Sequence, residues 1–185
     1  MDTLKKLLLL VVATVAAILL ILWTWGAFGF RSPVSAFLVN WLAMSWVAVT
    51  GQVTRFSFAP GYYRARPFEQ DGRIYERLGI RLFKRLVRRG PLAILSPTLR
   101  FPQERTLSAL LSLEGEMRRA ETAHVLIFLL VLLYAGYLLL NGWLDAAAWT
   151  LLCNVLINGY PIMLQRYNRI KLQGLIRQQE GGATA

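Results

Sequence analysis

The chain of 185 residues is 56% hydrophobic and only 17% charged, and its 21 Lys and Arg outweigh 10 Asp and Glu to give a formal net charge of +11. So apolar a composition excludes an ordinary soluble domain and marks a membrane protein. With Cys153 as the lone cysteine, disulfides and cysteine-based zinc sites are excluded as well.

Four windows are free of charge and long enough to cross a hydrocarbon core, for which a helix needs roughly 20 apolar residues. They are Leu7 to Phe30, Ser32 to about Val49, Val125 to Leu144, and Ala146 to Gln165. Lys5 and Lys6 ahead of a leucine-rich run resemble the start of a signal peptide. However, the 24 uncharged residues exceed the usual signal core and no small-x-small cleavage site follows, so a retained anchor is expected. Arg31 is the only charge between the first two windows and Asp145 the only one between the last two, which predicts two tight hairpins. Of the 21 basic residues, 20 fall in the N-terminal stub, between Thr50 and His124, or after Gln165, and the positive-inside rule assigns all three regions to the cytoplasm. The six tryptophans, Trp23, Trp25, Trp41, Trp46, Trp143 and Trp149, serve either as interfacial anchors or as packing between helices.

The predicted fold is therefore an all-α integral membrane protein of the cell membrane, with both termini cytoplasmic. A transmembrane hairpin covers 1–50, a basic cytoplasmic or interfacial helical segment 51–124, a second hairpin 125–165 and a basic cytoplasmic tail 166–185.

The segment from Thr50 to His124 holds 14 of the 21 basic residues. Gly61 to Gly72, "GYYRARPFEQDG", reads as loop because Pro67 and Asp71-Gly72 favour turns, and a short helix is expected to end near Gly79. Beyond it, Ile80, Phe83, Leu86 and Val87 recur at helical spacing while Arg81, Lys84, Arg85, Arg88 and Arg89 take the other positions. That is the pattern of an amphipathic helix lying among lipid headgroups, stopped by Gly90 and Pro91. Its partner is either anionic membrane lipid or a phosphate-rich ligand such as a coenzyme A thioester, since arginine forks bind phosphate oxygens. Nucleic acid is not the expected partner, because nothing resembles a recognition fold. Walker, dinucleotide GxGxxG and GxSxG motifs are all missing.

The next helix, from about Glu104, is expected to run through "LEGEMRRAETAH" into the third span. At the helical angle per residue, Glu114, Arg118, Glu121 and His124 fall within an arc of roughly 120 degrees. Arg118 stands four residues after Glu114 and three before Glu121, which is also the pattern of a salt-bridged helix end. Glu121 and His124 form a titratable pair near an apolar boundary, where burial is costly and function is the usual reason for it. A carboxylate three residues before a histidine can orient its ring or hold its proton, as a general base requires. Glu-x-x-His is also half of a di-iron motif, but such sites need two copies and further carboxylates, so no metal is expected.

In "NGYPIMLQRYNR", Asn158, Gln165, Asn168 and Arg169, together with Asn154 upstream, fall within about 100 degrees on a continuous helix. Amides facing lipid would lack partners, so this stripe points at other helices or at a substrate. Pro161 frees a backbone carbonyl near Asn158 and is expected to open the helix locally.

Three stretches, "RPFEQDGRIYERLGIRLFKRL" (66–86), "EMRRAETAH" (116–124) and "NGYPIMLQRYNRIKL" (158–172), resemble in order and spacing the signature blocks of the glycosyl-4,4'-diaponeurosporenoate acyltransferase (CrtO-like) family. Members of that family are small integral membrane proteins, and its named member esterifies the glucose of a glycosylated carotenoid with a fatty acyl chain. The resemblance points to Glu69, Gly72, Tyr75, Glu76, Gly79 and Lys84 in the first block and to Arg119, Glu121 and His124 in the second. In the third it points to Asn158, Pro161, Gln165, Arg166, Tyr167, Asn168 and Arg169. Phe83 stands where tryptophan is expected, Val87 where proline is, Val125 where an aromatic often follows the histidine, and Lys171 where arginine is usual.

What the resemblance implies is an O-acyltransferase without a bound cofactor, with acyl-CoA or an acyl carrier protein thioester as co-substrate and a glycosylated lipid as acceptor. Biosynthetic enzymes are further candidate partners. Transfer from thioester to hydroxyl needs a base for the alcohol proton and a donor for the developing oxyanion. His124 suits the first task with Glu121 fixing its tautomer, and Asn158, Gln165 or Arg169 suits the second. The His-x4-Asp pattern of glycerolipid acyltransferases is missing, since Leu129 occupies the fifth position after His124. Direct attack by the hydroxyl is simpler than an acyl-enzyme, because Cys153 lies deep in the fourth span. The alternative is a non-catalytic membrane scaffold that binds anionic lipid or a partner enzyme.

Overall fold

The computed structural model describes residues 2–54, 56–69, 71–89 and 106–182, with backbone alone at 88, 89 and 180–182. The helix stop at Gly90 and Pro91, the start near Glu104 and the Arg88 and Arg89 side chains lie outside that description. Every regular element among the described residues is helical. Among the described residues, four helical stretches are long and apolar enough to cross a membrane: Thr3–Phe28, Pro33–Thr54, Leu107–Leu140 and Leu144–Gln179. The chain divides into two compact units, Met1–Phe56 with Thr122–Gly159, and Ser57–Glu121 with Tyr160–Ala185.

In the first unit, α1 (Thr3–Phe28) ends at Gly29, whose φ of +73° reverses the chain, and α2 (Pro33–Thr54) begins after it. Pro33 at the first helical position gives up an amide that would have no partner anyway, and Ser32 Oγ caps the helix by accepting from Ser35 N–H at 3.1 Å. The two helices pack together, and Trp46 Nε1 donates to Thr14 Oγ1 at 3.0 Å. Leu7, Leu8, Leu19 and Leu22 on α1 remain half-exposed or more, a surface suited to hydrocarbon rather than water.

The unit is completed by α5 (Leu107–Leu140) from Thr122 onward and by α6 (Leu144–Asn154). Gly142, at φ +74°, turns the chain between them. Buried Leu138, Ala146 and Ala147 pack with Phe30 and Trp143, while Val47 packs with Ile127 and Val131. Arg31 and Asp145 meet in a bidentate ion pair, with contacts of 2.8 to 3.0 Å. Trp25 stacks near Tyr134, Trp143 meets Phe30 edge-on and Trp41 stacks near Phe37, whereas Trp23 and Trp149 are exposed.

After α6 comes a π-helical turn, Val155–Gly159, and then α7 (Tyr160–Gly182). The local opening expected from Pro161 takes this form. Proline donates no amide and its ring crowds the carbonyl four residues back, so an extra residue in the turn relieves the clash. Polar residues on either side of such a turn do not follow one unbroken helical stripe.

In the second unit, α3 (Arg73–Arg77) lies between glycines of positive φ, Gly72 at +70° and Gly79 at +81°. Tyr75, Ile80, Leu164 and Tyr167 form one core cluster, joined by Phe83 and Tyr160, and Leu110, Leu113, Met117, Leu172 and Ile176 form another. The stripe on α4 (Ile80–Arg89) differs from its expected role as a lipid-facing surface. Ile80 and Val87 are buried and Phe83 packs 5.1 Å from Tyr160, so most of the stripe serves the protein core. Leu86 and the neighbouring Leu82 are the exposed apolar residues of this helix.

Gly72 also sits against Tyr167, where an added Cβ would lie 3.1 Å from two ring carbons, whereas at Gly142 it would meet nothing within 4 Å among the described residues. Gly142→Ala is expected to cost about 1 kcal/mol from the left-handed backbone alone, and Gly72→Ala distinctly more, about 2 kcal/mol. Thermal unfolding of both variants in detergent checks the order.

Candidate functional site

His124 and Asn158, the histidine and the first amide of the predicted constellation, come together in the first unit. His124 Nδ1 lies 3.3 Å from Asn158 Oδ1. Asn158 is fully buried within the π-helical turn, and its Nδ2 group donates to Asn154 Oδ1 at 2.9 Å and Asn40 Oδ1 at 3.2 Å. Those two amides in turn donate to backbone carbonyls, Asn154 to Phe128 O at 2.9 Å and Asn40 to Ala36 O at 3.0 Å.

A backbone carbonyl only accepts, so the direction of every bond in this chain is set from its ends. Asn154 and Asn40 must present Oδ1 to Asn158, and Asn158 must present Oδ1 to the ring. His124 therefore carries its proton on Nδ1 and its lone pair on Nε2. Orienting the ring was the task expected of Glu121. The residue bonded to the ring is Asn158, and Asn158 has no amide hydrogen left over for an oxyanion. Asn40 was missed because the second span was read only as a window free of charge. The signal was a single asparagine within "FLVNWLA", a polar group with no reason to enter hydrocarbon unpartnered.

Glu121 belongs to the second unit, where it is fully buried and paired with two arginines. Its Oε1 is 3.1 Å from Arg166 Nη1 and its Oε2 is 3.0 Å from Arg169 Nη2. Arg166 also grips Glu69 in a fork, Nε to Oε1 at 2.9 Å and Nη2 to Oε2 at 3.0 Å. Glu69 receives two further donors, Tyr75 O–H and the Arg66 amide at 2.8 Å. Arg169 Nη1 donates to Tyr63 O at 2.6 Å, and its guanidinium lies over the Tyr63 ring at 5.2 Å, as Arg166 lies over Tyr62 at 5.3 Å. Two carboxylates and two guanidinium groups thus neutralise one another out of water, where an unpaired charge would cost several kcal/mol. Tyr62 and Tyr63 were not singled out from the sequence. Paired aromatics just ahead of an arginine-rich loop are the cue, since guanidinium planes stack on such rings.

The other predicted residues of this unit fall around that network. Tyr167 O–H donates to Glu76 at 2.7 Å, Arg81 pairs with Glu76 at 2.6 Å, and Lys84 Nζ donates to Asn168 Oδ1 at 2.8 Å. Gln165 and Arg119 line a cavity of about 230 Å³ with Glu116 and Met117, and Gln165 Oε1 is buried without a hydrogen-bond partner among the described residues. Glu114 and Arg118 form the helix-end ion pair weighed from the sequence, at 2.8 Å.

Burial pushes the Glu69 carboxyl up, but the Arg166, Tyr75 and Arg66 donors together outweigh it and hold it below the ordinary 4.5. A carboxylate held lower in the folded than in the unfolded chain contributes stability above the ordinary value, and that contribution is lost as pH falls through the folded value. Unfolding midpoints should therefore hold steady near neutrality and drop below about pH 4.5. Glu69→Gln should lower the neutral midpoint by about 3 kcal/mol of stability and flatten the acid slope, because Arg166 loses a buried partner. A pH series of thermal unfolding for both proteins tests this.

No curated protein and no solved structure matches the chain. A protein-family profile does: the glycosyl-4,4'-diaponeurosporenoate acyltransferase (CrtO) profile matches residues 59–178. That stretch covers well over half the chain and contains His124, Asn158 and the whole Glu69–Arg166–Glu121–Arg169 network. The chain belongs to the glycosyl-4,4'-diaponeurosporenoate acyltransferase family.

Proposed function

We propose that this protein is a membrane-bound O-acyltransferase that moves a fatty acyl group from a thioester, on coenzyme A or a carrier protein, to a sugar hydroxyl of a glycosylated carotenoid or related terpenoid glycolipid. The observation that carries the reading is the amide chain that holds His124 with Nε2 as its basic atom, in a member of an acyltransferase family. Nε2 makes no hydrogen bond among the described residues.

In this mechanism Nε2 takes the hydroxyl proton as the alcohol oxygen attacks the thioester carbonyl carbon. The tetrahedral intermediate collapses, the carbon–sulfur bond breaks, and the imidazolium returns the proton to the departing thiolate. The products are the sugar ester and a free thiol, and the histidine ends neutral as it began. Asn158 supports the charged intermediate by accepting from Nδ1, so it is a positioning residue. In the second unit, Glu69, Glu121, Arg166 and Arg169 fix the backbone of the tyrosine-bearing loop, and Gln165 and Arg119 line a cavity of that unit. Glu76 with Tyr167 holds α3 against α7, and Lys84 with Asn168 holds α4 against α7.

The cell membrane is the proposed site of action, with both termini and the basic regions in the cytoplasm. The ion pair between Arg31 and Asp145 supports placing the α1–α2 and α5–α6 turns together on the opposite side.

An untargeted lipid profile of cells that contain glycosylated terpenoid acceptor tests the reading. Wild type should produce a species heavier by one fatty acyl group. His124→Ala, at matched membrane levels, should lower it by about 100-fold or more. Identical profiles would make the histidine structural and favour the scaffold alternative.

A further inference from the structure

A second cavity of the second unit, about 490 Å³ in volume, is lined on its polar side by Arg64, Arg118, Arg177 and Gln173 and on its apolar side by Tyr63 and Ile170. No carboxylate of the described residues lines it. Glu114 stands behind the wall, where it accepts from Arg118 and from Gln173 at 2.8 Å each and offsets one guanidinium. Arg64 and Arg177 are paired with no carboxylate among the described residues, and the Arg177 guanidinium donates to Gln173 O of its own helix at 3.3 Å.

Basic side chains on a convex surface repel one another and point into solvent. Here three converge on one concave volume, which is favourable when an anion bridges them. The planar forks of arginine match phosphate oxygens in particular. The volume falls within the roughly 300–1,000 Å³ typical of small-molecule sites, and the tyrosine and isoleucine wall suits an organic phosphate better than a bare ion.

We propose that this cavity binds a phosphate-bearing organic ligand through Arg64, Arg118 and Arg177. Two sources share that chemistry, the phosphoryl groups of a coenzyme A donor and the headgroup phosphate of an anionic lipid. The first source rests on the acyltransferase reading, whereas the phosphate site itself does not.

The test uses the full-length protein in phosphatidylcholine nanodiscs, with free coenzyme A, dephospho-coenzyme A lacking the 3'-phosphate, and discs containing phosphatidic acid as probes. Coenzyme A should bind wild type more tightly than dephospho-coenzyme A does. Arg64→Ala combined with Arg177→Ala should weaken coenzyme A by about tenfold or more and remove that preference. Arg73→Ala, an exposed arginine paired with Asp71 outside the cavity, should leave both unchanged. Arg64 is exposed, so Arg64→Gln alone keeps the test open where the double variant loses its unfolding midpoint.

If only phosphatidic acid association falls in the double variant, the site stands with lipid as its source. If neither probe responds to the arginines, the cavity is a solvated basic surface and the proposal is overturned. Acyl transfer read beside binding separates the two claims. Full transfer with no arginine-dependent binding overturns this site and leaves the proposed function. Arginine-dependent binding in a protein that yields no acylated product does the reverse.

Discussion

An asparagine inside an apolar helix bundle brings two donor hydrogens and an oxygen with two lone pairs into a place without water, and each unmet group costs free energy. Three asparagines and one histidine meet that demand together. Asn158 gives both hydrogens to Asn40 and Asn154, and those residues give theirs to the carbonyls of Ala36 and Phe128. Backbone carbonyls at both ends make the chain directional, and direction decides where the histidine proton resides. The same solvation constraint that binds the helices of the first unit therefore leaves a lone pair on His124 Nε2.

The second unit solves a related problem with charge. Glu121 and Arg169 are buried, as is Glu69, and Arg166 is nearly so. Each carboxylate meets at least one guanidinium, and Arg166 meets two carboxylates. Such a network contributes less to net stability than its count of ion pairs suggests, because desolvation offsets the attraction. Its effect is geometric: it fixes Tyr62, Tyr63 and the Arg66–Glu69 turn relative to α7 and the N-terminal part of α5. With both of its oxygens engaged by arginines, Glu121 is better suited to holding structure than to relaying a proton.

The spans were legible because a run of some twenty apolar residues is decided by composition alone. The end of the short helix near Gly79 was readable from local glycine geometry, whereas the turn at Gly29 and the start at Pro33 fell inside spans bounded by charge alone. The partners of the site residues were not. A helical wheel ranks neighbours on one helix, so it set Glu121 beside His124. The observed partners of both come from residues distant in sequence, Asn158 for one and Arg166 and Arg169 for the other. The wheel also presumes 3.6 residues per turn, and the π-helical turn at Val155–Gly159 breaks that rule where the polar stripe was drawn. On α4 the amphipathic pattern was real, but periodicity cannot tell a lipid surface from a protein core, and Ile80 and Phe83 went to the core.

The protonation of the His124 ring can be observed directly, because His124 is the only histidine of the chain. Selective ¹⁵N labelling of histidine in the protein in nanodiscs gives a single pair of ring nitrogen signals. A protonated Nδ1 and a bare, pyridine-like Nε2 are expected at neutral pH, with that preference lost in Asn158→Leu. A bare Nδ1 with the proton on Nε2, or a spectrum indifferent to Asn158, would contradict it.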